Sequence, residues 1–216
     1  MYSVAIDGPA GSGKSTVAKM LAKELDISYI DTGAMYRAIA YKAKKNSAIT
    51  EEDIKKLLIE TDIDYKDGKI YLDGDDISEN IRTEEISKMA SDISKYKFVR
   101  EFLVFIQQKI AKKISVVMEG RDIGTVVLKD AKYKFFLTAT VDIRAKRRYE
   151  QLLEKGEIAD FEMIREDLIN RDYNDSHREN SPLKKADDAY LVDNSNLDLR
   201  QTLDYMLDII RGKNVL

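Results

Sequence analysis

Eight residues near the start of the chain, Gly8-Pro9-Ala10-Gly11-Ser12-Gly13-Lys14-Ser15, carry the clearest chemistry. They fit the pattern G-x-x-x-x-G-K-[ST], a loop that wraps nucleotide phosphates. Glycines let peptide N–H groups turn inward around phosphate oxygens, and a following helix adds positive potential. Lys14 brings a mobile cation to the β- and γ-phosphates, and Ser15 brings a hydroxyl for Mg²⁺. The flanking context is right: an apolar strand, Val4-Ala5-Ile6, precedes the loop, and a helical stretch, Thr16 to Leu25, follows it. These residues imply a bound nucleoside triphosphate. They leave open hydrolysis, transfer, or binding alone.

Five arginines are the next candidates: Arg37, Arg100, Arg121, Arg171 and Arg178. Arg121 lies in Glu119-Gly120-Arg121-Asp122, just past a strand, at the edge where open α/β sheets bind ligands. Arg171, Asp175 and Arg178 fall at i, i+4 and i+7, one stripe of a helix. A solvated ion-pair ladder has the same spacing. Arg100 shares a helix side with Val104 and Gln107, away from an apolar face of Val99, Leu103, Ile106 and Ile110. The commoner reading there is a solvated arginine.

The chemistry narrows further. No asparagine is followed by lysine, so the guanine-reading N-K-x-D of GTPases is absent, and no extra domain suggests a motor. Transfer to a small molecule remains. A phosphate monoester acceptor, with a second pKa of about 6, is already an anion and needs no general base. That suits a chain whose one histidine is His177. Two polyanions must then meet in line, which calls for positioning and convergent arginines. The residues thus point to a Mg-ATP phosphotransferase with an anionic acceptor. A kinase acting on a hydroxyl, with Asp31 or Asp122 as base, is the alternative. A nucleotide-binding regulator is a second.

The elements that must position these groups alternate. Strands are expected at 27–31, 115–118, 133–137 and 189–192. Helices are expected at 34–41, with Thr32 as N-cap, at 51–60, with Thr50 and Asp53 as its cap, and at 83–95, 97–113, 161–177 and 198–211. Residues 61–77 break the rhythm: Ile63 and Tyr65, then Ile70 and Leu72, alternate around Asp67-Gly68, a β-hairpin insertion. The highly charged stretch 142–155 holds Arg144, Lys146, Arg147 and Arg148, and ends at Glu154-Lys155-Gly156, a helix stop. The sum is an α/β fold with a central parallel sheet.

Composition agrees. The chain has 216 residues, enough for one domain with a proper core. Charged residues make up 35% with a net charge of −3, which argues against a general nucleic-acid binder. There is no cysteine, hence neither disulfide nor thiolate metal site. No apolar run approaches the ~20 residues of a membrane span, and the first strand begins at once, so a cytoplasmic protein is expected, and a compact chain with no spare apolar helix suggests a monomer.

Several stretches are familiar. Ile6 to Thr16, Asp31-Thr32-Gly33-Ala34-Met35-Tyr36-Arg37, Ile81-Arg82-Thr83, Glu119 to Val127, and Arg171 to Arg178 with Pro182-Leu183 resemble bacterial cytidylate kinases of the nucleoside monophosphate kinase family. The resemblance spans essentially the whole chain, and G-R-D-x-G-T-V-V and R-D-x-x-D-S-x-R are specific to the family. It implies a three-layer P-loop kinase fold, a monophosphate-binding region at 33–97 that includes the 61–77 hairpin, and a lid at 142–160. It implies ATP along Gly8 to Thr16, and CMP or dCMP as acceptor. The acceptor phosphate would be held by Thr32, Tyr36, Arg37 and Arg121, the cytosine read by Ser91, Arg100, Asp122 and Arg178, and the pentose met by Arg171 and Asp175. Lys14 and Arg121 would act in transfer with a lid arginine (Arg144, Arg147 or Arg148). Mg²⁺ would meet Ser15 and, through water, Glu119. Two positions depart from the usual pattern: Thr32 stands where many relatives have serine, and Glu119 where aspartate is frequent.

Overall fold

The computed structural model describes residues 2–48, 50–66 and 68–213. Five parallel strands form the central sheet: β1 (Ser3–Asp7), β2 (Ser28–Asp31), β6 (Val116–Gly120), β7 (Tyr133–Thr138) and β8 (Tyr190–Asp193). Their order is β2-β6-β1-β7-β8. Val4-Ala5-Ile6 and Val116-Val117-Met118 are buried on both faces, which is why they read as continuous apolar runs and not as alternation.

Helices cover both faces. α1 (Lys14–Glu24) and α8 (Leu199–Ile210) close one side with Val17, Leu21, Phe135, Leu203 and Met206. On the other side α2 (Thr32–Lys45), α4 (Glu84–Ile93) and α5 (Lys97–Ala111) pack Met35, Ile39, Ile86, Leu103 and Met118. α3 (Glu51–Ile59) flanks them, and its Thr50–Asp53 capping box forms as the sequence predicts. The third layer is therefore present and the fold class stands.

The expected insertion folds as a three-stranded antiparallel sheet: β3 (Ile63–Lys66), β4 (Lys69–Leu72) and the short β5 (Asp75–Asp76). The added strand follows from a second Asp-Gly pair, Asp73-Gly74, with φ of 52° and 91°, the positive values that a tight hairpin turn requires. Asp67 of the first turn lies outside the described residues. Lys42 of α2 pairs with Asp73 at 2.6 Å and fastens the insertion to the helix layer.

Two expectations need correction. The N-cap of α2 is Asp31, whose Oδ1 accepts from the Ala34 N–H at 2.9 Å. Thr32 is already helical and gives its hydroxyl to the Glu119 carbonyl at 2.7 Å. Arg100 is not solvated: Val99, Arg100, Leu103 and Gln107 are the buried residues of α5. The side that looked free is covered by a π-helical turn, Ile123–Val127, which packs on α5.

Candidate active site

The strands run parallel, so their carboxyl ends share one edge of the sheet. β1 ends on Asp7, β2 on Asp31 and β6 on Glu119-Gly120, with Asp7 beside Gly120 and Asp31 beside Glu119. The phosphate loop leaves this edge. A Cβ on Gly8 would stand 2.0 Å from the Leu137 carbonyl oxygen, so no other residue lets the loop start there. Gly13, at φ 86°, makes the left-handed entry into α1.

The loop is oriented by bonds to its carbonyls. Pro9 O accepts from Lys14 Nζ at 2.6 Å, Ala10 O from an Arg144 guanidinium N–H at 2.9 Å, and Ser12 O from Asn194 Nδ2 at 3.0 Å. A planar trans peptide points its N–H opposite to its C=O. The N–H groups of Ala10, Gly11 and Gly13 therefore each point away from the donor that holds the preceding carbonyl. Lys14 is buried, and burial together with the charge of Arg121 lowers its pKa to about 7.

Acidic groups face the loop. Glu119 lies beside Ser15 and accepts from the Tyr29 hydroxyl at 2.8 Å. Burial and the neighbouring Asp31 raise its pKa, against the pull of Lys14. Gly120 leaves the room this corner needs: a Cβ there would come within 2.7 Å of both Thr32 Oγ1 and Ile123 Cδ1. Asp7 accepts from the Ile123 and Gly124 N–H groups at 2.7 Å each, yet burial lifts its pKa to about 6. It ties the strand before the phosphate loop to the segment that carries Arg121 and Asp122.

Among the described residues no cluster of three or more Asp, Glu or His forms a metal cage. A Ser15 hydroxyl with one carboxylate beside it does fit a hard cation that takes its other ligands from phosphate oxygens and water.

The arginines converge on this edge. Arg37 pairs with Asp31 at 2.7 Å, and Arg121 Nε donates to Asp175 at 2.7 Å. Arg100 is ion-paired and hydrogen-bonded to Asp122, with the Tyr36 ring 5.4 Å from its guanidinium carbon. Arg178 approaches Asp175 at 3.8 Å and donates from Nε to the Ser181 carbonyl at 2.7 Å. Arg171 approaches Asp167 at 3.9 Å, and burial with the charge of Arg121 lowers its pKa. The stripe on α7 (Phe161–His177, continued by Arg178) thus faces the site. Arg100 Nε and Arg178 Nη2 are buried donors without a hydrogen-bond partner among the described residues. Burial also raises the Tyr36 phenol to about 12. Ser91 sits half-buried on α4, its carbonyl accepting from Ser94 Oγ at 2.8 Å. The two carboxylates considered as a base for a hydroxyl acceptor, Asp31 and Asp122, are both held in ion pairs.

The three arginines of α6 (Val141–Glu154) differ sharply. Arg144 is buried and tethered to the Ala10 and Ala139 carbonyls and to Asp172 at 2.6 Å, so it is a fixed support of the phosphate loop. Arg147 donates to Asn194 Oδ1 at 3.1 Å and to the Asn194 carbonyl at 2.8 Å. Arg148 is exposed and donates to Gln151 Oε1 at 2.9 Å. The helix stop is as expected: Lys155 caps α6 and Gly156 follows at φ 75°. Sequence reasoning passed over Asp7, Tyr29, Asp172 and Asn194. Asp7 and Asn194 had a signal, since each stands at or just past the carboxyl end of a strand. Tyr29 had none beyond sharing a strand with Asp31.

A parallel sheet with a phosphate loop at the end of its central strand, and arginines gathered along the same edge, defines a P-loop kinase. A shikimate kinase from Bacteroides thetaiotaomicron shares the fold, with a TM-score of 0.51, 12% identity and coverage of 97% of this chain and 98% of that one. An uncharacterized protein from Eubacterium ventriosum does so with a TM-score of 0.55 and 16% identity over 99% of this chain and all of that one. The family profile described as "Cytidylate kinase" matches residues 4–212. The cytidylate kinase of Thermosipho melanesiensis is 48% identical, with 97% of each chain covered. That of Clostridioides difficile is 47% identical over 96% of this chain and 97% of its own. The cytidylate kinase of Caldicellulosiruptor saccharolyticus is 49% identical over 96% and 94%. The chain belongs to the cytidylate kinase family.

Proposed function

We propose that the protein transfers the γ-phosphate of ATP to CMP or dCMP, giving ADP and the pyrimidine nucleoside diphosphate. The observation that carries this reading is the edge itself: a Lys14-bearing phosphate loop beside an arginine-lined acceptor site, with no unpaired carboxylate in either base position considered. The loop N–H groups hold the donor phosphates, and Lys14 leaves the Pro9 carbonyl for the γ-phosphate. Arg37 and Arg121, with Tyr36 and Thr32, place the acceptor phosphate in line. Arg100, Asp122, Arg178 and Ser91 read the base, and Arg171 with Asp175 meets the pentose. The Ser15 hydroxyl and, through water, Glu119 would hold Mg²⁺, which would supply positive charge against the donor phosphates. Residues 142–160 act as a lid that excludes water, and Arg147 or Arg148 adds positive charge during transfer. Among the described residues no helix is long and apolar enough to cross a membrane, which is consistent with a cytoplasmic enzyme acting on soluble nucleotides.

The test is ADP release with ATP, Mg²⁺ and each of CMP, dCMP, UMP, AMP and GMP. Turnover is expected with CMP and dCMP, and turnover with AMP or GMP alone would overturn the base-reading assignment. Lys14→Ala should lower kcat by about 10²–10³-fold, the cost of removing one preorganised electrostatic group. Near-normal turnover would sink the mechanism.

A further inference from the structure

Tyr29 and Glu119 come from neighbouring strands, β2 and β6, and the Tyr29 hydroxyl donates to Glu119 Oε1 at 2.8 Å. The same carboxylate lies beside Ser15 at the head of α1 and in the field of Lys14. A glutamate side chain has three rotatable torsions, so a carboxylate that must meet one point of the phosphate loop needs an anchor. Tyr29 is suited to that task. Its ring lies 5.5 Å from the Lys19 ammonium and also borders a cavity of about 240 Å³ lined by Ser28, Ile30, Tyr65, Gly68 and Ile114. With a cavity at the ring, its placement depends on the hydroxyl as well as on packing.

We propose that Tyr29 is a positioning residue: its hydroxyl fixes the Glu119 carboxylate toward Ser15 and so sets the geometry of the cation-binding corner of the phosphate loop. This rests on the proposed function in one respect, that a divalent cation with a nucleotide occupies that corner. Tyr29 acts through Glu119 and reaches no reacting atom itself. Orienting partners of this kind typically change metal affinity by about 10–100-fold when removed.

The test uses Mn²⁺ as the probe, its binding to the full-length protein with ADP followed by electron paramagnetic resonance. Tyr29→Phe keeps the ring and should weaken Mn²⁺ binding about tenfold. Glu119→Gln should weaken it at least as much, and the double variant should fall no more than about twofold below Glu119→Gln alone, because the two groups act as one unit. Unchanged Mn²⁺ binding in Tyr29→Phe overturns the proposal, and so do penalties that multiply in the double variant. Should Tyr29→Phe fail to fold, 3-fluorotyrosine placed at position 29 keeps the hydroxyl and the fold. Its ¹⁹F resonance should move when Glu119→Gln is introduced, and an unmoved resonance overturns the proposal. None of these readouts depends on phosphoryl transfer. A protein that binds Mn²⁺ with ADP as described but makes no CDP would refute the proposed function and leave this inference standing.

Discussion

Replacing Arg100 with methionine keeps an unbranched stem and most of the volume of the side chain and removes its charge. The consequence follows from the surroundings. The Arg100 side chain is 4% exposed and that of Asp122 is 7% exposed, so the pair belongs to the buried regime and not to the surface one. Breaking a surface pair costs roughly 0–1 kcal/mol, whereas orphaning a buried charge costs about 3–5 kcal/mol. Arg178 stands near Asp122 and offsets part of the loss, which favours the lower end, about 3 kcal/mol. For a chain of this length that lowers the melting temperature by about 10 °C. Base reading suffers separately. A hydrogen bond to a charged group is worth about 1.5–3 kcal/mol, so the ratio of kcat/KM for CMP over UMP should fall about 10–100-fold. The two effects can be parted. Arg100→Met combined with Asp122→Leu removes both charges and should recover most of the melting temperature, while discrimination stays lost. Differential scanning fluorimetry and coupled ADP assays with both nucleotides supply the measurements. An Arg100→Met protein with an unchanged CMP-to-UMP ratio would refute the assignment of Arg100 to the base. A double variant no more stable than the single one would refute the account of the buried pair.

Two further outcomes follow from the sheet edge. The pKa of Asp7 is raised to about 6, so its contribution to stability is fully present below the unfolded value near 3.9 and is lost as pH rises through about 6. Urea-unfolding free energies between pH 4 and 7 should show this decline in the wild type and a flatter profile in Asp7→Asn; parallel profiles would refute it. Gly120→Ala puts a Cβ 2.7 Å from both Thr32 Oγ1 and Ile123 Cδ1. Overpacking should cost about 1–3 kcal/mol in unfolding free energy and raise the KM for CMP, because Thr32 must move; neither change would mean the clash is relieved elsewhere.

Much of this architecture is legible in the residues alone, and the failures are instructive. The inner strands β1 and β6 declare themselves as short apolar runs buried on both faces, the half-exposed edge strands β2 and β8 by their place in the alternation with helices, and the phosphate loop declares itself by spacing. Thr50-x-x-Asp53 gives its helix start correctly because a capping box is local. Thr32 misleads for the opposite reason. Its hydroxyl is drawn away by the Glu119 carbonyl, 87 residues distant, and Asp31 takes the cap. Arg100 misleads in the same way: its helix shows one apolar face, and the cover over its polar face is a π-helical turn that periodicity does not reveal. The stripe Arg171, Asp175, Arg178 was ambiguous between site and ladder, and only the reach of Arg121 to Asp175 resolves it toward the site.

The supports of the phosphate loop show why remote groups escape such reasoning. Arg144 holds the Ala10 carbonyl from 134 residues away, and Asn194 holds that of Ser12 from 182 residues away. Neither residue belongs to a motif around the loop. Each stands there because a parallel sheet returns the ends of β7 and β8 to the edge where β1 ends. Arg144 also binds Asp172 on the helix that carries Arg171 and Asp175, and Arg147 on the same α6 binds Asn194. The donor loop therefore touches, through single side chains, both the helix that faces the acceptor and the turn after the last strand. A shift of α6 cannot leave the loop carbonyls unaffected, because Arg144 and Arg147 lie one turn apart on it. Were that helix to close over ATP as the proposed lid, its closure and the setting of the phosphate loop would be mechanically one event, with Asp172 joined to both.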